Sequence, residues 1–351
     1  MDYRKLNMIA NPAGLNGFEF LEFSGSDNDF ISDLFIKFGF TLTGKHKTKN
    51  ILRYQQGDIN FLLNNEDSSQ AANHKLTHGN GACSMGFKVN NSQLAFEHVL
   101  AQGATEFINQ TEKLQPNLRA IEGIGGSLIY FCDESDNPYQ DFETVNPPAY
   151  QSDSDLLLID HLTHNVYQGN LDKWADFYIR LFNFHEIRFF NIDGEKTGLL
   201  SRAMGSPCGK IKIPLNESKD KTSQIEEFLQ EYHGEGIQHI ALHTNNIYES
   251  IEKIRAAQID FLTVPNTYYD LIDKRINWHS EDVERMKKNS ILIDGGKTCD
   301  KGLLLQIFTK NLLGPAFFEI IQRKGDEGFG EGNFTALFEA IERDQIERGV
   351  L

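Results

Sequence analysis

Along this chain, segments whose hydrophobic residues are spaced as in strands take turns with segments whose hydrophobic residues are spaced as in helices. Residues 17–23 alternate apolar and polar side chains, and residues 28–38 carry apolar side chains at helical spacing behind Ser26 or Asp27 as a cap. Three short apolar segments that are predicted as strands follow at 40–43, 51–55 and 59–63. The pattern therefore predicts one βαβββ unit.

The same order of predicted elements returns three more times. A second unit begins at Cys83, a third has its strand at 156–166 and its helix at 171–181, and a fourth has them at 236–242 and 248–257. Further elements are predicted as strands at 85–89, 127–132, 185–191, 198–203, 211–215, 303–308 and 317–321, and as helices at 92–102 and 224–232. Each unit exposes an apolar face that a neighbour must cover. The sequence predicts an α+β fold of four tandem βαβββ modules in two half-barrel domains, 1–150 and 151–351.

Four other segments have no strand-like pattern. Residues 133–154 are polar and contain Asn146-Pro147-Pro148, which indicates an interdomain linker. Residues 266–288 are polar and irregular, as in a long surface excursion, and 324–332 is a glycine-rich turn. Residues 333–349 have apolar side chains at helical spacing, so a final helix is expected there.

Size and charge narrow the class of protein. A chain of 351 residues exceeds the usual limit for one hydrophobic core, which favours two domains. A net charge of -16 argues against nucleic acid and anionic membranes as partners. No segment has membrane-spanning length or a signal-peptide pattern, and the four cysteines have no CxxC spacing. A cytoplasmic protein without disulfides or a thiolate metal site is expected.

The segment Phe317-Phe318-Glu319-Ile320-Ile321-Gln322-Arg323 has the composition of a buried strand with one carboxylate in its middle. Phe317, Glu319 and Ile321 share one face because strand side chains alternate. A charged group on a buried face is costly unless something positive holds it. Arg323 shares the face but sits at the end of the strand. Glu319 is therefore either a metal ligand or the partner of a distant Arg or Lys.

Two histidines are candidate partners for Glu319. His161 and His239 lie in the first strands of the third and fourth units, and these strands would face each other in a half-barrel. His164 has an odd offset from His161, and His243 lies about 13 Å along the strand from His239, so neither suits the same ion. Each histidine alone could be a hydrogen-bonded core residue. Two imidazoles and one carboxylate together favour an Fe(II) site with open positions, although Zn or Mn fits the same ligands.

Lone polar and aromatic residues lie near the same hollow. Gln306, Gln238, Asn216 and Ser201 each interrupt or end an apolar strand, where a buried amide or hydroxyl often has only a structural role. Phe308 and Phe334 could stack on an aromatic ligand, or could belong to the core. The residues alone leave both interpretations open.

Six blocks of the sequence, in this order, resemble the bacterial 4-hydroxyphenylpyruvate dioxygenases. The blocks are residues 160–166, 213–217, 234–239, 304–308, 318–323 and 328–334. The resemblance implies two domains of the vicinal-oxygen-chelate (glyoxalase-like) type, with the metal site in the C-terminal domain only. It implies that His161, His239 and Glu319 are Fe(II) ligands and that the last helix is a lid. It also implies a polar substrate lining of Ser201, Asn216, Gln224, Gln238 and Gln306, with Phe308 and Phe334 flanking the substrate ring.

The activity implied by the resemblance belongs to tyrosine catabolism. 4-Hydroxyphenylpyruvate and O₂ would be converted to homogentisate and CO₂ by oxidative decarboxylation, ring hydroxylation and side-chain migration. No external reductant is needed, because the substrate carries its own oxo acid. A homo-oligomer, dimer or tetramer, is expected. The alternatives are 4-hydroxymandelate synthase, an extradiol catechol dioxygenase and a non-catalytic binding module of the same fold.

Overall fold

The computed structural model of the chain consists of two eight-stranded sheets, one from each half of the sequence. The structure describes residues 9–109, 112–145, 153–193, 198–270, 272–296, 298–330 and 332–333. No helix in these described segments is long and apolar enough to cross a membrane.

The N-terminal sheet has the strand order β6-β7-β5-β1-β4-β3-β2-β8. Its strands are β1 (Leu15–Ser24), β2 (Thr41–His46), β3 (Ile51–Gln56), β4 (Ile59–Asn64), β5 (Gly81–Val89), β6 (Arg119–Glu122), β7 (Leu128–Cys132) and β8 (Phe142–Thr144). Its helices are α1 (Asn28–Lys37), α2 (Gln70–His78) and α3 (Ser92–Ala101), with a 3₁₀ turn at Ile124–Gly126. Asp27 caps α1 by accepting from Phe30 N.

The C-terminal sheet has the order β10-β11-β12-β9-β13-β16-β15-β14. Its strands are β9 (Leu156–Val166), β10 (His185–Asp193), β11 (Gly198–Gly205), β12 (Lys212–Ser218), β13 (Gly236–Thr244), β14 (Leu292–Gly295), β15 (Leu303–Phe308) and β16 (Phe317–Lys324). Its helices are α4 (Leu171–Phe182), α5 (Gln224–Glu231), α6 (Ile247–Ala256), α7 (Asn266–Tyr269), α8 (Ile272–Arg275) and α9 (Val283–Asn289), with a 3₁₀ turn at Cys299–Lys301.

The two sheets repeat one arrangement of strands. In each, two central strands pair antiparallel, β1 with β5 and β9 with β13. Each central strand also has a parallel neighbour, in the pairs β1–β4, β5–β7, β12–β9 and β13–β16. The predicted α+β fold of tandem βαβββ modules in two half-barrels is therefore confirmed. The second unit departs from the pattern, because β8 joins the far edge of the N-terminal sheet beside β2.

Two sequence predictions were wrong in part. Residues 266–288 are not irregular but contain α7, α8 and most of α9, whose buried Tyr269, Ile272 and Met286 are too widely spaced to form one clear helical pattern. The predicted linker at 133–154 includes β8, which the edge of β2 stabilises by pairing rather than by apolar content. The predicted domain boundary at residue 150 and the predicted final helix lie outside the described residues, apart from Asn333, and stay predictions.

The two halves pack against each other through the outer faces of their sheets. We call the face of each sheet that carries Glu22 or Glu319 the inner face. Phe318 neighbours Glu319 and points to the opposite, outer face, where its ring is 4.8 Å from Phe38 and 6.2 Å from Phe61 of the N-terminal half. Phe318 is only 1% exposed. One hydrophobic core therefore continues from the N-terminal half to the strand that carries Glu319.

Candidate functional site

Three neighbouring strands bring His161, His239 and Glu319 to the inner face of the C-terminal sheet. They lie on β9, β13 and β16 respectively. Ala241 of β13 is paired with His161 on one side and with Glu319 on the other. Residues paired across strands, and residues two apart on one strand, point to the same face. The hypothesis that the first strands of the third and fourth units lie side by side is confirmed.

The potential ligand atoms of these three residues lie close enough for one ion. They are all within 4.8 Å of one another, and each residue is buried. Glu319 Oε2 is 3.2 Å from His161 Nε2 and 3.5 Å from His239 Nε2. The centroids of the two imidazole rings are 5.6 Å apart. Two imidazoles and one carboxylate arranged in this way can hold a divalent ion and leave other positions open.

Hydrogen bonds on the far side of each imidazole fix its orientation. Asp160 Oδ1 lies 2.8 Å from His161 Nδ1, and Gln238 Oε1 lies 3.0 Å from His239 Nδ1. Because a carboxylate or amide oxygen accepts, each Nδ1 donates, and each Nε2 is the atom that faces Glu319. Both rings therefore present Nε2 to a common ion.

The electrostatics of the group favour positive charge at its centre. Burial alone would raise the pKa of Glu319, but the imidazoles of His161 and His239 beside it lower this pKa to about 2. Burial alone would lower the pKa of His161, yet Glu319 and Asp160 raise it. For His239, burial dominates and the pKa is lowered. An ionised carboxylate that faces two imidazoles in a buried position suits a divalent cation.

The alternatives considered for these residues are excluded by their contacts. His164 points away from the group, and its Nε2 is 2.8 Å from the hydroxyl of Tyr178. His243 is absent from the cluster of potential ligands formed by described residues. Arg323 pairs with Asp160 at 2.7 Å, and the charged partners of Glu319 are histidines. Glu319 therefore faces the candidate metal position without a guanidinium or ammonium partner among the described residues.

The three residues open into a small cavity. Its lining is completed by Thr163, Pro214, Asn216, Gln306, Phe308 and Phe329. Thr163 Oγ1, Asn216 Oδ1 and Gln306 Oε1 are buried and have no hydrogen-bond partner among the described residues. A buried polar atom without a partner costs free energy unless a ligand or water satisfies it. The cavity thus offers unpaired polar atoms and a metal-type donor set to the same ligand.

Aromatic rings shield the two imidazoles from water. Phe317 stacks on His239, with ring centroids 4.9 Å apart at 20°. Phe329 meets His161 edge to face at 5.6 Å, and Phe308 meets His239 at 6.3 Å. These rings lower the local dielectric, which strengthens the attraction between the carboxylate and a cation.

The other predicted site residues lie apart from this cavity or beyond the described residues. Gln224 and Gln238 both line a neighbouring groove, and Gln238 reaches the metal-binding group only through His239. Ser201 lies on β11 opposite Asn216, and its buried Oγ has no described hydrogen-bond partner. Phe334 is outside the described residues. The roles predicted for these side chains stay predictions.

Sequence reasoning gave no role to four residues at the site. Thr163 lies two positions after His161, so strand alternation was a usable signal for it. Asp160 precedes His161 directly, which is a spacing that allows it to contact the ring. Pro214 and Phe329 lie in two of the blocks that carry the family resemblance, but their residue types do not indicate a place at the cavity, to which the fold brings them.

Two families match different halves of the chain. Residues 9–146 match "Hydroxyphenylpyruvate dioxygenase, HPPD, N-terminal", and residues 158–271 match "Glyoxalase/Bleomycin resistance protein/Dioxygenase superfamily". With the paired half-barrels and the buried His–His–Glu group, these matches define the class: the chain is a member of the glyoxalase/dioxygenase superfamily.

A full-length relative gives the family within this class. A 4-hydroxyphenylpyruvate dioxygenase of Legionella pneumophila subsp. pneumophila is 56% identical over 341 residues, which are 97% of this chain and 98% of the relative. The chain belongs to the 4-hydroxyphenylpyruvate dioxygenase family. The resemblance inferred from the six sequence blocks is confirmed.

Solved structures share the fold. A xylose isomerase-like TIM barrel/4-hydroxyphenylpyruvate dioxygenase fusion protein has a TM-score of 0.79 at 28% identity and matches 95% of this chain, which spans only 54% of the fusion. A mutant of 4-hydroxymandelate synthase from Streptomyces coelicolor has a TM-score of 0.81 at 23% identity, over 94% of this chain and 99% of the synthase. At that identity the second likeness concerns the fold alone.

Proposed function

We propose that this protein is an Fe(II)-dependent dioxygenase that converts 4-hydroxyphenylpyruvate and O₂ to homogentisate and CO₂. The observation that carries the proposal is the convergence of two buried imidazoles and one carboxylate at a cavity with unpaired polar atoms. Membership of the 4-hydroxyphenylpyruvate dioxygenase family, with 56% identity to the Legionella relative, supports the substrate and the reaction.

His161, His239 and Glu319 would hold the iron. When bound, ferrous iron supplies open positions for the 2-oxo acid and O₂ and the redox chemistry that activates O₂. The chain's own residues prepare that position: Asp160 and Gln238 orient the imidazoles, and Glu319 brings the negative charge. Ligands must be a neutral imidazole and an ionised carboxylate, so a bound ion would replace the proton that the raised pKa of His161 favours.

The cavity lining would hold the substrate. Asn216 and Gln306 carry amide groups whose oxygens lack partners, so they are available to polar groups of a ligand. Phe308 and Phe329 provide apolar walls on either side of the imidazoles, where an aromatic ring would be excluded from water. The substrate would supply all four electrons that reduce O₂, two in its oxidative decarboxylation and two in the ring hydroxylation, so the chain needs no separate reductant site. Gln224, Gln238, Ser201 and Phe334 are assigned to the substrate on the family resemblance.

The experiment that tests this function is O₂ consumption by the purified protein with 4-hydroxyphenylpyruvate and ferrous iron, followed by identification of the product. Homogentisate and one CO₂ per O₂ are expected. 4-Hydroxymandelate as the product would assign the chain to the synthase reaction, and cleavage of a catechol ring would assign it to extradiol chemistry. Absence of O₂ uptake with iron bound would leave only a ligand-binding role.

The setting proposed for the reaction is tyrosine catabolism in the cytoplasm. Cys83, Cys132, Cys208 and Cys299 are all free thiols, which supports a reducing compartment. The dimer or tetramer expected from the sequence stays a prediction, and light scattering of the purified protein tests it.

A further inference from the structure

A single buried side chain, Arg323, joins the metal-binding group to the segment that follows β16. The side chains of Arg323 and Asp160 are 8% and 5% exposed. Arg323 Nε donates to Asp160 Oδ2 at 2.7 Å, and Arg323 Nη2 donates to Asp160 Oδ1 at 2.8 Å. A bidentate pair of this kind fixes the carboxylate in both position and rotation.

Asp160 transmits this constraint to one candidate ligand. Its Oδ1 accepts from His161 Nδ1 at 2.8 Å as well as from Arg323. With Nδ1 of His161 bonded to the fixed carboxylate of Asp160, the imidazole is held with Nε2 toward Glu319.

The opposite side of the same guanidinium holds the chain after β16. Arg323 Nη1 donates to the carbonyl of Asp326 at 3.1 Å and to the carbonyl of Gly328 at 2.6 Å. We call residues 325–330 the closing loop. Within it, Gly328 N donates to Asp326 Oδ1 at 2.6 Å. The turn of the closing loop is thus built around Arg323.

The closing loop forms one wall of the cavity. Phe329 is 5% exposed, and its ring lies edge to face with His161 at 5.6 Å. Gly330 has a φ of +73°, and a Cβ there would lie 2.1 Å from Gln306 Oε1. The backbone at Gly330 is therefore pressed against the amide of Gln306, and a side chain would push the loop away from the cavity.

We propose that Arg323 is a positioning residue that couples the orientation of His161 to closure of the cavity by residues 325–330. The inference rests on the proposed function, because the ligand it positions belongs to the proposed iron site. Arg323 is neither one of the candidate ligands nor part of the described lining of the cavity. It makes the metal position and the water-excluding wall depend on the same side chain, so that loss of Arg323 loosens both.

The first test measures metal affinity without turnover. Co(II) is titrated into the metal-free full-length protein, and its affinity is read from calorimetry or the cobalt absorption bands. Arg323→Gln is expected to weaken Co(II) binding roughly 10- to 100-fold, the usual effect of removing a partner that orients a ligand. Lys324→Ala is the matched control. It removes the neighbouring cation, whose bond to Glu281 is on the surface, and leaves affinity unchanged.

A conservative variant separates geometry from charge. Arg323→Lys keeps the positive charge but cannot bond both oxygens of Asp160 and two loop carbonyls together, so affinity stays weakened. Native affinity in Arg323→Lys would show that charge alone matters and would overturn the positioning role. The same variant is measured if Arg323→Gln fails to fold, as judged by thermal melting and circular dichroism.

The second test addresses the coupling itself. Amide hydrogen exchange of Phe329 and Gly330 is expected to accelerate in Arg323→Gln and not in Lys324→Ala. In a double-mutant cycle on Co(II) affinity, Arg323→Gln and Asp160→Asn are expected to be non-additive, because they break one pathway. Additive effects, or weakened metal binding with unchanged exchange of the closing loop, would overturn the coupling.

The outcomes separate this inference from the proposed function. Cobalt affinity and amide exchange do not depend on which substrate the protein uses. Native Co(II) affinity in Arg323→Gln would sink the inference about Arg323 while the dioxygenase activity stands. Absence of O₂ uptake by the iron-loaded native protein would sink the proposed function, and the effects of Arg323 on metal binding would still be measured.

Discussion

The two half-barrels place different side chains at the same positions of one strand arrangement. In the C-terminal sheet, Ala241 lies between two of the three candidate ligands. In the N-terminal sheet, Gly86 occupies the corresponding position on β5, between Phe20 on β1 and Tyr130 on β7. The rings of Phe20 and Tyr130 are 5.7 Å apart. Ala241 thus separates two candidate ligands in the C-terminal sheet, whereas Gly86 separates two packed aromatic rings in the N-terminal sheet.

The polar positions of the two sheets correspond as well. Two residues before Ala241 on β13 lies His239, and two residues before Gly86 on β5 lies Ser84. Ser84 pairs across the strands with Glu22, just as His239 pairs with Thr163. Ser84 Oγ and Asn64 Nδ2 donate to the two oxygens of Glu22 at 2.5 and 2.7 Å. The polar side chains Glu22, Ser84 and Asn64 of the N-terminal sheet therefore form hydrogen bonds with one another.

The C-terminal counterparts are left without partners. Asn216 on β12 corresponds to Asn64 on β4. In the N-terminal sheet, Asn64 lies two residues after the β4 residue that pairs with Glu22. In the C-terminal sheet, Asn216 lies two residues after the β12 position beside Thr163. Asn216 Oδ1 and Thr163 Oγ1 have no partner among the described residues. The N-terminal hollow is also filled, since Leu114 and Leu118 pack with Phe20 and Tyr130. The comparison teaches that, of two similar strand arrangements, the candidate binding site lies in the one whose inner face keeps a cavity and unpaired polar atoms.

The largest expected effect comes from the ligand positions. Glu319→Ala or His239→Ala is expected to lower kcat/KM for 4-hydroxyphenylpyruvate by about 1000-fold or more, because the metal is lost or misplaced. Ser84→Ala, at the position equivalent to His239, is expected to retain bound iron and turnover. The measurements are steady-state O₂ uptake and metal content, with circular dichroism to verify folding. Substantial activity of either ligand variant with iron supplied would count against the ligand set.

The two asparagines are expected to differ in kind. Asn216→Ala should lower kcat/KM roughly 10- to 100-fold, the effect of losing one hydrogen bond to a charged or polar substrate group, with little change in stability. Asn64→Ala should leave kcat/KM unchanged and lower the free energy of unfolding by about 1–3 kcal/mol, because Glu22 loses a buried donor. Kinetics and urea denaturation of both variants check this. Equal kinetic effects would contradict the comparison.

The central small residues provide a third test. A Cβ at Gly86 would lie 2.6 Å from the ring of Phe20. Gly86→Ala is therefore expected to cost about 1–3 kcal/mol of unfolding free energy through overpacking, while iron content stays native. The measurement is urea denaturation alongside metal analysis. Loss of iron without loss of stability would show that the N-terminal face is not merely structural.

The smallest expected effect concerns the buried acid of the N-terminal half. Burial raises the pKa of Glu22, against hydrogen bonds from Ser84 and Asn64 that lower it. The pKa of Glu22 in the folded protein lies above its unfolded value of about 4.3. The stability that Glu22 contributes is therefore fully present below about pH 4.3, and it is lost as the pH rises through the folded-state pKa. Glu22→Gln cannot ionise and so does not lose this stability at high pH. Relative to the native protein, its free energy of unfolding is expected to be about 1 kcal/mol more favourable at pH 8 than at pH 4.

Urea denaturation of the native protein and Glu22→Gln at both pH values provides the measurement. The gain must grow with pH if burial of the charged form is the cause. A variant that is less stable than the native chain at pH 8 would mean that the ionised carboxylate of Glu22 stabilises the fold.

The candidate ligand set was accessible from sequence because its residue types stand out in apolar strands. A carboxylate at Glu319 and imidazoles at His161 and His239 each violate the strand pattern, and the order of elements indicates which strands meet. The bond between Asp160 and Arg323 was not accessible, since the partners are 163 residues apart and only strand register brings them together. The correspondence between Asn64 and Asn216 is hidden for the same reason.

The helices at 266–288 were missed because short helices obtain their stability from their surroundings. Asp282 caps α9 by accepting from Arg285 N at 3.0 Å, and the side chain of Met286 on α9 is fully buried. Helices of four to seven residues are too short for an apolar periodicity to identify them. Their formation depends on contacts that a linear pattern does not contain.

The contact between Phe318 and Phe38 has a consequence for any attempt to shorten the protein. The side chain next to Glu319 is embedded in the partner half, so a fragment beginning near residue 151 would expose an apolar strand directly behind its metal position. Such a fragment is expected to aggregate rather than function alone. The N-terminal half covers the apolar face behind the candidate metal position of the C-terminal half, which is a reason for both halves to remain in one polypeptide.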